Sequence, residues 1–90
     1  MPTKFLIPRI LRKYVNDQES VELHGDTLAD LLIDLKRSYP ALYQCVCTES
    51  GQLRRHLHLF INETRIEDNQ WDRVLKPEEV VSVFQAVSGG

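Results

Sequence analysis

Positive charge is not in excess in this chain: eleven Lys and Arg are outweighed by thirteen Asp and Glu, a formal net charge of -2. A nucleic-acid partner therefore has no electrostatic basis. The nearest thing to a basic cluster is Arg54-Arg55-His56, with Arg9, Arg12 and Lys13 earlier in the chain. There is no run of about eighteen apolar residues to span a membrane. The opening MPTKFLIPRILRKY lacks the long apolar centre and small-residue cleavage site of a secretory signal. From these absences a cytoplasmic chain with no membrane partner is expected. Cysteine is scarce, and Cys45 and Cys47 in YQCVCTES stand too close for the usual structural disulfide. Before the final pair, the glycines are Gly25 and Gly51, so there is no glycine-rich phosphate loop. No Ser/His/Asp or Cys/His spacing suggests a nucleophile with its base. The chain is expected to be neither an enzyme nor the holder of a bound cofactor.

What is present fits one domain of ninety residues, 42% hydrophobic and 27% charged, with one modest core. DTLADLLIDLKRSYP places Leu28, Leu31, Leu32 and Leu35 at i, i+3, i+4 and i+7, the stripe of an amphipathic helix. Thr27 with Asp30 makes a capping-box-like start, Lys36 and Arg37 suit the negative end, and Tyr39-Pro40 marks the stop. Strands surround it. KFLIP sets Phe5 and Ile7 against Leu6, SVELH sets Val21 and Leu23 against Glu22, and the polar VNDQES turns between them. HLHLFINETRI sets Leu57, Leu59 and Ile61 against His58 and Phe60, then turns at Asn62-Glu63 into a short strand near Arg65-Ile66. EVVSVFQAV is the last strand, and a long connection is expected from Ala41 to Arg55. The order predicts an α+β domain, a mixed four- to five-stranded sheet wrapped over one helix, as in the β-grasp or ubiquitin-like fold.

The ending VVSVFQAVSGG is the unusual feature. At an average usage of about 7%, two final glycines arise by chance roughly 0.5% of the time. IPRILRKY, GDTLADLLIDLKRSYPAL, LFINETRI and FQAVSGG, spread over nearly the whole chain, resemble the ThiS/MoaD family of sulfur-carrier proteins. IPRILRKY and GQLRRHLHLFIN are most similar to the branch that feeds cysteine biosynthesis. Gln85 stands where that family commonly has proline, and Ser88 where it has alanine.

The resemblance implies one β-grasp carrier domain over 1–90, with 85–90 as a flexible tail. It implies that the Gly90 carboxylate is adenylated by a partner that uses ATP, then converted to a thiocarboxylate that donates sulfur. Gly89 and Gly90, lacking Cβ atoms, thin the chain for a narrow channel. The implied partners are an E1-like adenylyltransferase with a sulfurtransferase source, and a downstream sulfur-accepting enzyme such as a PLP-dependent cysteine synthase. The free protein would be a monomer. Two other outcomes of the same ancestry are a small subunit of molybdopterin synthase and a modifier conjugated to lysines through Gly90.

Period-two alternation puts Ser82 and Phe84 on the solvent face of the sheet if Val81 and Val83 face the helix, and likewise His58 and Phe60. Grouped exposed aromatics mark a binding surface. Phe60, Phe84 and His58, with Arg65 at the rim and Ala86, Val87 and Ser88 leading to the glycines, are the expected partner-binding residues. Cys45-x-Cys47 and His56-x-His58 could supply four zinc ligands, but their spacing lacks the glycine-bearing knuckles of structural zinc sites, and no metal is expected. No cation is evident beside either cysteine to activate it.

Overall fold

The computed structural model describes residues 2–67 and 70–85. Strand β1 (Thr3–Leu6) leads into a 3-10 helix over Arg9–Val15 and returns as β2 (Ser20–Leu23). Helices α1 (Leu28–Ser38) and α2 (Pro40–Val46) follow, then β3 (Leu57–Ile61), β4 (Thr64–Ile66) and β5 (Val80–Gln85). One five-stranded sheet runs in the order β2-β1-β5-β3-β4, with β5 parallel to β1 and antiparallel to β3. This is the β-grasp arrangement, with the last strand at the centre of the sheet. No helix among the described residues is long and apolar enough to cross a membrane.

Each strand buries the face that alternation assigns. Phe5, Val21, Leu23, Leu57, Leu59, Ile61, Ile66, Val81 and Val83 close on Leu28, Leu31, Leu32 and Leu35 of α1. Fully burying one such side chain contributes about 1.5–3 kcal/mol, so the leucine stripe ties helix to sheet. Thr27 caps α1, its Oγ1 accepting from the Asp30 amide at 3.2 Å. The amides of Leu28 and Ala29, orphaned by helix geometry, donate to the carbonyls of Arg73 (3.2 Å) and Trp71 (2.8 Å). The segment before β5 thus closes over the start of the helix.

Three expectations need correction. The fold has a second α-helix, so the sheet does not wrap over one helix alone, and the connection after Tyr39 is shorter than foreseen. Pro40 ends α1 and also opens α2, because proline at a first helical position loses no intrahelical bond. Leu42 and Val46, one turn apart, are fully buried. The rest of that connection is tightened by an antiparallel bridge between Cys47 and Leu53, with Gly51 at φ +85° in the turn. Gln85, expected to begin the tail, instead closes β5 in register with Leu57. Asn16 and Asp17, in the polar turn before β2, both take left-handed backbone, which these residue types tolerate.

Candidate functional site

The outer face of the sheet carries a compact apolar patch around β5. Ser82 is in register with Leu6 on one side and Phe60 on the other, and Phe60 is in register with Arg65. One step along, Phe84 lies opposite His58. The Phe60 and Phe84 rings meet edge to face, centroids 5.2 Å apart at 89°, a favoured geometry for an aromatic pair. Phe84 is 52% exposed, an unusual state for so large an apolar side chain at the end of a central strand. Such a surface gains by desolvation against a partner.

The four predicted outer residues with described positions, Phe84, Phe60, His58 and Arg65, therefore share one face. Arg65 lies in β4, the short strand expected after the Asn62-Glu63 turn. Two details differ from the expectation. Phe60 is half-buried, because it packs against Phe84. Ser82 points outward but is only 4% exposed, since a small side chain in the central strand is covered by its larger neighbours Leu6 and Phe60. Leu6 was missed as a patch residue, though its alternation with Phe5 and Ile7 already sends it to this face. Asn62, at φ 55°, anchors the β3–β4 turn to β5: its amide donates to the Val80 carbonyl, and its Oδ1 accepts from the Val80 amide. Ala86, Val87, Ser88, Gly89 and Gly90 lie outside the described residues.

The cysteines sit elsewhere. Cys45 is on α2 and Cys47 caps its end in the core, whereas His58 lies on the far face of the sheet. The two pairs do not converge on one centre. Burial pushes the Cys47 thiol up to about 11, although the Tyr43 hydroxyl and the Arg54 guanidinium both favour the thiolate. A cation is thus present, contrary to the sequence reading, and desolvation outweighs it. Tyr14 is raised chiefly by its hydrogen bond with Cys45. Tyr43 is raised by burial and then by Cys47.

Comparison with known proteins places this architecture. The sulfur carrier protein CysO of Mycobacterium tuberculosis is 29% identical over 87 residues, covering 93% of this chain and 94% of the relative. The crystal structure of M. tuberculosis CysO superposes with a TM-score of 0.82 at 26% identity, over 94% of this chain and 99% of the other. The Amycolatopsis orientalis BexX/CysO complex shares the fold at 22% identity, with a TM-score of 0.83 over 98% and 99% of the two chains. Small archaeal modifier protein 1 of Methanosarcina acetivorans shares it at 24% identity and 0.79, over 99% and 96%. The ThiS family model matches residues 5–90, from the first core phenylalanine of β1 to the second terminal glycine, and the chain belongs to the ThiS family.

Proposed function

We propose that this chain is a sulfur carrier whose reacting group is the carboxylate of Gly90. A carboxylate is a poor electrophile. In the proposed cycle an E1-like partner joins a Gly90 oxygen to the α-phosphorus of ATP, releasing pyrophosphate and leaving an acyl adenylate. A sulfur nucleophile at the hydrosulfide level attacks the acyl carbon, a C–S bond forms, and AMP departs. The thiocarboxylate then passes its sulfur to a downstream enzyme, a cysteine synthase of the PLP-dependent kind being the acceptor that similarity to CysO favours. ATP belongs to the activating partner, and the carrier itself acts as a cosubstrate.

The observation that carries this reading is the family match running through to Gly90, beside 29% identity to CysO over nearly the whole chain. The Phe84–Phe60 patch supports it from the structural side. It lies on the strand that leads directly to the tail, so a partner gripping it receives Gly89 and Gly90 in position. His58 and Arg65 border that grip, and Ala86, Val87 and Ser88 span the distance to the glycines. The existence of a CysO complex with BexX supports a partner-borne step.

Intact mass after incubation with the adenylating partner, ATP and a sulfur source tests the proposal. A gain equal to the replacement of one oxygen by sulfur, confined to the C-terminal peptide, is the expected result. A gain by the mass of a whole target protein would make the chain a modifier instead. Stable copurification with a large catalytic subunit, without that gain, would make it a synthase subunit.

A further inference from the structure

The strand directions bring two distant basic stretches to one end of the molecule. β1 runs parallel to β5 and delivers the chain into Arg9–Val15 at the end of the sheet where β5 finishes. β3 runs antiparallel to β5, with Leu57 opposite Gln85, so Arg55 and His56 immediately before it arrive at that same end. The strand leading to the tail is therefore flanked by Arg9, Arg12 and Lys13 on one side and by Arg55 and His56 on the other. Arg9, Lys13, Arg55 and His56 are exposed. Arg12 is half-buried and held in place, its Nε donating to the Ile7 carbonyl at 3.0 Å. The Lys13 ammonium lies over the Tyr14 ring, 5.4 Å from its centroid.

The acidic residues at this end are Asp17 and Glu19, in the same β1–β2 connection as Arg9, Arg12 and Lys13, and Glu67 after the edge strand β4. The Asp17 amide donates to the Arg12 carbonyl at 2.8 Å, and the Glu19 carbonyl accepts from the Ile7 amide at 2.9 Å. Glu63, Glu78 and Glu79 gather at the opposite end, around the β3–β4 turn and the start of β5. Among the described residues the ion pair within 4 Å is Arg73–Glu79, so no described carboxylate lies within 4 Å of the cations that flank β5. A chain with net charge -2 thus holds Arg9, Arg12, Lys13 and Arg55 without a described ion-pair partner at the end where β5 finishes.

We propose that Arg9, Arg12, Lys13 and Arg55 form a basic collar that docks on an acidic protein surface around the mouth of the channel that receives the tail. This rests on the carrier reading above and adds the chemistry of the partner's rim. The apolar patch supplies grip, and the collar supplies orientation and speed of encounter, the usual division between buried anchors and peripheral charges. An acidic protein surface fits better than nucleic acid, because a handful of cations on an acidic chain releases few counterions.

The test is association kinetics with the adenylating partner that acts on this chain, for the parent, the double variant Arg9→Glu/Arg55→Glu, the neutral pair Arg9→Gln/Arg55→Gln, and Phe84→Ala. The two arginines are exposed and thermal unfolding should not move, which confirms folding before the rates are compared. The collar predicts an association rate about tenfold lower for the glutamate pair at low ionic strength, with an intermediate value for the glutamine pair. The difference should vanish near 1 M salt, where the screening length falls to about 3 Å. The dissociation rate should change little for either pair and rise for Phe84→Ala. Unchanged association by the glutamate pair, with Phe84→Ala still weakened, overturns the collar and leaves the carrier reading standing. Loss of binding to a duplex DNA probe in place of any effect on the enzyme also overturns it. A parent chain that does not associate with any adenylating enzyme overturns both.

Discussion

A Cβ on Gly25 would lie 2.5 Å from the Leu31 amide nitrogen and 2.8 Å from the Asp30 carbonyl carbon, contacts with backbone that cannot swing aside. Gly25→Ala is therefore expected to cost about 2 kcal/mol or more, read as a drop in thermal unfolding temperature. A variant that melts like the parent would show the entry to α1 to be looser than described. Cys47 makes a pH prediction. Its folded value, about 11, lies above the ordinary 9.0, so its contribution to stability is complete below pH 9.0 and is lost as pH rises toward 11. Tyr43, also raised by burial, acts in the same direction. Denaturant unfolding of Cys47→Ala should show a shallower alkaline fall than the parent, and identical slopes would contradict the buried thiol. The two phenylalanines separate by exposure. Either Phe84→Ala or Phe60→Ala forfeits their shared edge-to-face contact, about 0.5–1.5 kcal/mol of stability, and half-buried Phe60 loses buried area in addition. Phe84→Ala should weaken partner binding by tens of fold, using about 1.4 kcal/mol per factor of ten. Normal affinity with severe unfolding in both would mean that the patch serves the core.

At the level of elements, α1 was legible because four leucines repeat through two turns and the cap is Thr27, both of which are local signals. α2 was hidden because seven residues give only Leu42 and Val46 as buried positions, and because Pro40, read as a stop, is also a start. Sequence alone does not say whether a proline after one helix begins another, since that depends on whether the next apolar pair finds a core to enter. Leu31→Ala and Leu42→Ala test the two helices together. Each is expected to lose about 2–5 kcal/mol, a cost of emptying a fully buried site. A Leu42→Ala protein as stable as the parent would return Pro40–Val46 to the status of a loop. The closure of segment 71–75 over the amides of Leu28 and Ala29 had no local signal at all, because its bonds are made by backbone carbonyls that any residue carries.

For the whole molecule, alternation gave the direction of nearly every strand residue but not its cover. Ser82 points outward as period two requires, and is still buried by Leu6 and Phe60 across the register. The gathering of Arg9 and Arg55 at one end depends on β5 pairing parallel to β1 and antiparallel to β3, long-range facts that no local pattern carries. The claim on which the whole account turns is that chemistry and stability are separated along the chain, with the fold held by the described core and the proposed reaction at Gly90. Deleting Gly90 tests it most directly, by comparing thermal unfolding and thiocarboxylate formation for the same protein with the adenylating partner, ATP and a sulfur source. The account predicts an unfolding temperature equal to that of the parent and no thiocarboxylate, whereas normal thiocarboxylate formation by the shortened chain would contradict it.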